Sequence, residues 1–133
     1  MKETFIPNHL HMLVRGYVYH PPSTTEETNQ FLIKLVEKVR MRVVAGPTSV
    51  YVSDPGNEGV TGTVTLATSH ASIHVWDSQK PAMFQFDLYS CSSFTPEEVI
   101  ECIDENLGLQ KAHYVFIDRN NDEFKEIERG QIN

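Results

Sequence analysis

The sequence predicts an α+β fold, a two-layer α/β sandwich in which an antiparallel sheet carries two helices on one face. Six segments have the alternating apolar pattern of strands, and two repeat apolar residues with helical spacing. In chain order they read β-α-β-β-β-β-α-β, and clustered strands with few helices are typical of an antiparallel sheet. The 133 residues fit one hydrophobic core, so we predict a single domain over residues 1–133.

The first half of the chain contains the first predicted strand and helix. The strand is predicted at His11–Val18, where apolar and β-prone residues precede a pair of prolines. An amphipathic helix is predicted at residues 25–41, because Ser23 and Thr24 begin two overlapping capping boxes. The apolar stripe of this helix consists of Phe31, Leu32, Leu35, Val36 and Val39.

The middle of the chain is predicted to consist of strands. Gly46-Pro47 should break the next apolar stretch, so that a strand is predicted only at Ser49–Ser53. A turn at residues 54–59 follows, and a hairpin loop is predicted at residues 77–81. The three strands around that loop are Val60–Thr68, His70–Trp76 and Met83–Ser90.

The last third predicts a second helix and a final strand. Thr95 and Glu98 form a capping box at the helix start, and Gly108 should end the helix. A strand follows at Ala112–Asp118, and the polar tail from Asn120 is predicted to be loosely held.

The composition limits the classes of partner and the cellular compartment that we expect for this protein. The net charge of −7 argues against nucleic acid as a partner, because phosphate binding needs a basic face. We expect no membrane partner, since no stretch approaches the roughly 18 apolar residues that span a bilayer. The start of the chain lacks a signal-peptide pattern, and the two cysteines are expected to be free thiols, so a cytoplasmic protein is expected.

Strand alternation divides one predicted strand into two different faces. One face carries Ala71, Ile73 and Val75, and the other carries His70, Ser72, His74 and Trp76. One face must pack on the helices, and the other is bulky enough to need a second sheet. We therefore predict a homodimer.

The candidate reactive groups are a serine at a strand junction, a histidine and a cysteine. Ser69 could attack the preceding carbonyl, turning the Thr68–Ser69 amide into an ester. Elimination would then cleave the chain and leave a pyruvoyl group on the new amino terminus, a ketone that serves as an electron sink in decarboxylation. His74 could supply the base and Cys91 the acid that this chemistry needs.

Three segments carry a family resemblance. Residues 60–76 resemble a motif that runs Gly-Val-Ser-Gly, an apolar strand, Ala-Glu-Ser-His, two residues and Ile-His-Thr-Trp-Pro-Glu. Residues 86–92 match Val-Asp-Ile-Phe-Thr-Cys-Gly, and residues 11–14 are similar to His-Leu-Ile-Val. These are motifs of the bacterial-type S-adenosylmethionine decarboxylase proenzymes, and the strong resemblance covers roughly a quarter of the chain.

The resemblance implies roles for four residues. Ser69 corresponds to the precursor of the pyruvoyl cofactor, and His74 to the processing histidine. Thr61 stands where the family has a serine that assists processing, and Cys91 corresponds to the proton donor of decarboxylation. The family fold is a two-layer α/β sandwich that dimerises, and its reaction on S-adenosylmethionine belongs to spermidine synthesis.

The chain also differs from the family pattern, and these differences leave alternatives open. Thr68 replaces a glutamate, which suggests a relative that binds a nucleoside or a partner protein without processing. Arg15 replaces an acidic residue, so another amino acid could be the substrate, with Arg15 holding an extra carboxylate. The family's adenine-stacking aromatic falls near Pro55, and Tyr51 is the nearest candidate for that role.

A zinc site is a weaker alternative. His9 and His11 share one predicted strand face, and His70 and His74 share another. No cysteine or carboxylate stands at ligand spacing beside them, so we predict no metal.

Overall fold

The computed structural model describes residues 4–133. That part of the chain contains seven strands and two helices: β1 (Leu10–Val18), α1 (Thr25–Lys38), β2 (Val43–Val52), β3 (Gly59–Leu66), β4 (Ser69–Trp76), β5 (Ala82–Ser90), α2 (Pro96–Leu107), β6 (Leu109–Asp118) and β7 (Lys125–Ile132). The strands form one antiparallel sheet in the order β2-β3-β4-β5-β1-β6-β7. The predicted α+β sandwich is confirmed.

Both helices begin at the predicted caps. The Thr24 hydroxyl accepts a hydrogen bond from the Glu27 amide at the start of α1, and Thr95 forms a complete capping box at the start of α2. Helix α1 ends at Lys38, three residues before the predicted end, and Arg40 just beyond it has a φ of 60°. Gly108 ends α2 in the left-handed conformation, as predicted.

One continuous core lies between the helices and the sheet. Ala71, Ile73 and Val75 on β4 are at most 3% exposed, so theirs is the face of this strand that packs on the helices. Helix α1 lies close to β3 because Gly62 has no side chain. A Cβ there would come within 2.6 Å of the Thr28 methyl carbon. The opposite face of the sheet, here called the open face, is not covered by either helix of residues 4–133.

The prediction for β2 was wrong at its start. The strand runs from Val43 through Gly46 and Pro47, with register shifts between Val43 and Ala45 and between Ala45 and Thr48. It lies at the sheet edge, where a proline without an amide hydrogen costs no ladder bond on its free side.

The prediction of a loosely held tail was also wrong. Residues 125–132 form the edge strand β7, which pairs with β6. The Tyr114 ring lies against Gly130, where a Cβ would clash with it, and the Tyr114 hydroxyl donates a hydrogen bond to Glu128. The charged sequence hides this strand because few of its side chains reach the core.

Two further expectations concern the ends of the chain and membranes. Residues 1–3, within the segment where we expect no signal peptide, lie outside the described residues. Between residues 4 and 133, neither helix is long and apolar enough to cross a membrane.

Candidate active site

The predicted cleavage bond lies in a strained turn. Leu66 pairs with Ser69, so Ala67 and Thr68 form a two-residue hairpin loop between β3 and β4. Thr68 has a φ of 51°, a left-handed conformation that costs a residue with a Cβ about 1–2 kcal/mol. Branching at Cβ makes threonine an unusual choice there. The Thr68–Ser69 amide therefore follows directly after a strained residue.

Ser69, Thr68 and Cys91 meet at this turn. The Ser69 Oγ accepts a hydrogen bond of 3.0 Å from the Cys91 amide and lies 3.5 Å from the Cys91 Sγ. The Thr68 Oγ1 is 2.8 Å from the same sulfur. Ser69 and Cys91 are 9% and 6% exposed, so the predicted nucleophile and the predicted proton donor are both held inside the protein.

The surroundings of Cys91 change the acidity of its thiol. Burial alone would raise the pKa of Cys91, but hydrogen bonds from Ser69, Thr68 and Ser92 outweigh burial and lower that pKa below its ordinary value. A thiol with a lowered pKa gives up its proton more readily, which suits an acid that delivers a proton to carbon.

A cavity of about 320 Å³ opens beside the turn. It is lined by Phe5, Arg40, Met41, Arg42, Ala67, Thr68, Ser69, Cys91 and Ser92. The cavity gives a small molecule a path to the reactive groups, with apolar side chains on one part of its wall and arginines on another.

Thr61 and His74 form a second pair, away from the turn. The Thr61 Oγ1 lies 3.1 Å from the His74 Nδ1 across the β3–β4 ladder. His74 is five residues from Ser69 along β4, which is roughly 17 Å. An odd separation also places the two side chains on opposite faces of the sheet. Within one chain, His74 therefore does not meet Ser69.

The two predicted substrate-binding residues lie apart from the turn. Tyr51 pairs with Val60 and so faces the helix side of the sheet, and its hydroxyl donates a hydrogen bond of 3.1 Å to Asp77. Arg15 lies on the open face in the middle of β1, directly opposite His113 of β6. Neither side chain lines the cavity beside Ser69.

Sequence reasoning missed a polar network on the open face, here called the Asp87 network. Its members are His11, His70, Ser72, Asp87 and Arg119. Asp87 accepts hydrogen bonds from Ser72 and, at 2.8 Å, from His11 Nε2, and His70 Nε2 lies 3.4 Å away. Burial alone would raise the pKa of Asp87, but the bonds from His11 and Ser72 and the nearby imidazoles outweigh it, and the pKa is about 2.

The Asp87 network changes the reasoning about zinc. The sequence suggested no carboxylate near the histidines, yet Asp87 and two histidines place one donor atom each within 4.8 Å of one another. His9 instead bonds the Tyr89 hydroxyl, and His74 bonds Thr61. Arg119 donates to His11 Nδ1 at 3.1 Å, which directs the His11 Nε2 hydrogen to Asp87. That arrangement suits a hydrogen-bonded network better than a cation site.

One signal could have revealed Asp87. It stands at the aspartate of the motif Val-Asp-Ile-Phe-Thr-Cys-Gly that residues 86–92 match, but only Cys91 of that motif was given a role. Its register opposite Ser72 on β4 becomes visible only when β4 and β5 are paired.

Comparison with known proteins shows the family to which the chain belongs. A sequence model of the S-adenosylmethionine decarboxylase family matches residues 11–120, so the chain belongs to that family. It is similar to the S-adenosylmethionine decarboxylase proenzyme of Thermococcus onnurineus, with 36% identity over 69 residues, which is 51% of this chain and 48% of that protein. The proenzyme of Pyrococcus horikoshii is 36% identical over 66 residues, 49% of this chain and 46% of that protein. The chain spans about half the length of the curated relatives it matches.

Proposed function

We propose that this protein is a proenzyme of the bacterial type that cleaves itself between Thr68 and Ser69. The cleaved protein is a pyruvoyl-dependent decarboxylase that acts on S-adenosylmethionine, in the service of spermidine synthesis. It works as a homodimer. A reducing compartment such as the cytoplasm suits it, because Cys91 and Cys102 are both free thiols.

The observation that carries this proposal is the strained Thr68 directly before a buried Ser69. Attack of Ser69 Oγ on the Thr68 carbonyl carbon transfers the acyl group from nitrogen to oxygen. Loss of the Ser69 Cα proton then breaks the Cβ–O bond and releases Thr68 as a carboxylate. Water and the departure of ammonia convert the remaining end into the pyruvoyl group. Cleavage releases the backbone strain at Thr68 (φ 51°).

The residues around Ser69 fit a pyruvoyl group in both polarity and space. The Cys91 amide already donates to Ser69 Oγ at 3.0 Å, and the adjoining cavity leaves room for a substrate. The pyruvoyl ketone supplies an electron sink for decarboxylation. Cys91, which lines that cavity and is 6% exposed, is placed to deliver the proton that the product carbon requires.

The Thr61–His74 pair supports a homodimer in which a second copy completes each site. This pair lies on the open face, roughly 17 Å along β4 from Ser69, so its own chain does not bring it to the turn. Two copies that pack open face to open face around a two-fold axis bring the His74 end of one sheet towards the β3–β4 turn of the other, where the Thr68–Ser69 peptide lies at the end of the sheet. The open face also exposes Leu13 to 39%, which such packing would cover.

Denaturing mass spectrometry of the purified protein tests the proposal. Wild-type protein and a Ser78→Ala control in the exposed β4–β5 loop should both yield fragments 1–68 and 69–133, the second with a pyruvoyl mass at its start. Ser69→Ala should stay intact and release no CO₂ from S-adenosylmethionine. Decarboxylation by the Ser69→Ala variant would overturn the proposal. An intact, folded wild-type chain would favour the alternative that this protein is a relative that binds a nucleoside or a partner protein without processing.

A further inference from the structure

A cationic groove lies on the open face, across β5, β1, β6 and β7. Its volume is about 450 Å³, and its polar lining includes Arg15, Gln85, His113, Arg129 and Gln131. No aspartate or glutamate lines it within the described chain, residues 4–133. This is unusual in a protein with a net charge of −7, where a groove of random composition would include carboxylates.

The register of the sheet brings Arg15, His113 and Arg129 together. Arg15 lies directly opposite His113, so their Cβ atoms are about 5 Å apart. Arg129 is diagonal to His113, because His113 pairs with Gln131 two residues further along β7, and diagonal neighbours are about 7–8 Å apart. Long side chains at these spacings can reach one bound group.

The two arginines of the groove differ in their hydrogen bonds to carboxylates. Arg129 makes two hydrogen bonds to Glu126, of 3.0 Å and 2.6 Å. Arg15 is exposed, and between residues 4 and 133 no carboxylate lies within 4.0 Å of its guanidinium. Its five N–H donors are therefore free for a planar or tetrahedral anion, which arginine binds in bidentate fashion.

We propose that this groove binds a small molecule through a carboxylate or phosphate group, with Arg15 as the main contact and His113 and Gln131 as further donors. The inference needs neither cleavage at Thr68–Ser69 nor decarboxylation. If a second copy covers the open face, the same anion would compensate the burial of Arg15, since a buried charge requires a partner.

The groove is also placed for a role in the reaction. Thr61, His74, Gln85 and Arg15 occupy one row of paired residues across β3, β4, β5 and β1. Arg15 is two strands from His74, which is about 10 Å. On the proposed function, a substrate bound near His74 of the same copy could therefore place a second anionic group against Arg15.

Titration of the full chain with succinate and with inorganic phosphate, at constant ionic strength, tests this inference. Nitrogen-15 NMR should show saturable shifts at the Arg15 side chain and the His113 ring. Arg15→Gln should weaken binding about tenfold or more, the loss expected for one charge-assisted hydrogen-bond donor. Tighter binding of succinate would indicate a carboxylate-bearing ligand, and tighter binding of phosphate a phosphorylated one; either result supports the groove.

Lys34→Gln serves as the matched control, because it removes one positive charge from the exposed side of α1 without touching the groove. Linear, non-saturable shifts, or equal binding by Arg15→Gln and Lys34→Gln, would overturn the inference. The same titration in Ser69→Ala separates the two proposals. If the Ser69→Ala chain binds the anion, the groove is supported independently of cleavage. If the wild-type chain cleaves but binds no anion, the proposed function is supported and the groove is overturned.

Discussion

Ser69 and His74 lie on the same strand, β4, five residues apart and on opposite faces of the sheet. Ser69 faces the helices beside Cys91, whereas His74 faces the open side and bonds Thr61. In this arrangement the proposed base, His74, cannot act on the proposed nucleophile, Ser69, within one chain. On the proposed function, the oligomeric state is therefore part of the chemistry, and mixed dimers can test it.

Co-expression of Ser69→Ala and His74→Ala chains should restore activity that neither variant has alone. Random pairing makes half of the dimers mixed, and each mixed dimer has one site with both native residues. About a quarter of wild-type activity is therefore expected. Decarboxylation and fragment masses of the co-purified protein provide the measurement. A mixture as inactive as its parents would show that Ser69 and His74 are not shared between copies.

Thr68→Asn should stabilise the uncut chain, because asparagine tolerates a positive φ far better than a β-branched residue. In a Ser69→Ala background, which prevents cleavage, we expect the free energy of unfolding to rise by about 1 kcal/mol. Denaturant unfolding gives this number. With Ser69 restored, Thr68→Asn should slow cleavage, since less strain is released. An unchanged or lower unfolding free energy would mean that the turn is not strained.

Cys91→Ala should separate the two reactions of the site. The backbone amide that contacts Ser69 remains, so cleavage should continue, as followed by denaturing mass spectrometry. Decarboxylation should fall by about 100-fold or more, the usual loss for a missing general acid. Cys102→Ala is the control, because Cys102 is 2% exposed in the stripe of α2 and its loss should affect only stability. Full decarboxylation by Cys91→Ala would remove that residue from the mechanism.

Asp87→Asn should destabilise the protein in a pH-dependent way. The folded pKa of about 2 lies below the unfolded value of about 3.9, so the ionised carboxylate stabilises the fold. This contribution is present in full above the unfolded pKa and is lost as the pH falls towards 2. At pH 7 the variant should lose about 2 kcal/mol of unfolding free energy.

The exposed Asp122→Asn variant provides the comparison for Asp87, because it removes the same charge outside the network. Unfolding titrations at pH 7 and near pH 3 should show the penalty of Asp87→Asn shrinking at the lower pH. A penalty that stays constant across this range would indicate lost packing rather than lost charge.

Local signals in the sequence were sufficient for most of the fold. Capping residues located the starts of both helices, because Thr24 and Thr95 act through neighbours three residues away. Alternation located the strands whose inner residues fill the core. β7 was not predicted because this edge strand is held mainly by backbone hydrogen bonds to β6. Backbone hydrogen bonds do not require an alternating pattern of apolar side chains.

The sequence predicted only those site residues that belong to the family motifs. Ser69 and Cys91 were both singled out, and β4–β5 pairing brings their segments together. The Asp87 network depends on side chains up to 108 residues apart, Arg119 and His11. Their proximity comes from the insertion of β1 between β5 and β6, a topological fact that no local pattern contains.

If the chain is cut at Thr68–Ser69 as proposed, the strand order determines how the two pieces are held together. The piece before Ser69 contributes β1, β2 and β3, and the later piece contributes β4 to β7. Because β1 lies between β5 and β6, the pieces are interleaved rather than side by side. Separating them would break three ladders, β3–β4, β1–β5 and β1–β6, so the two polypeptides should persist as a single interlocked body.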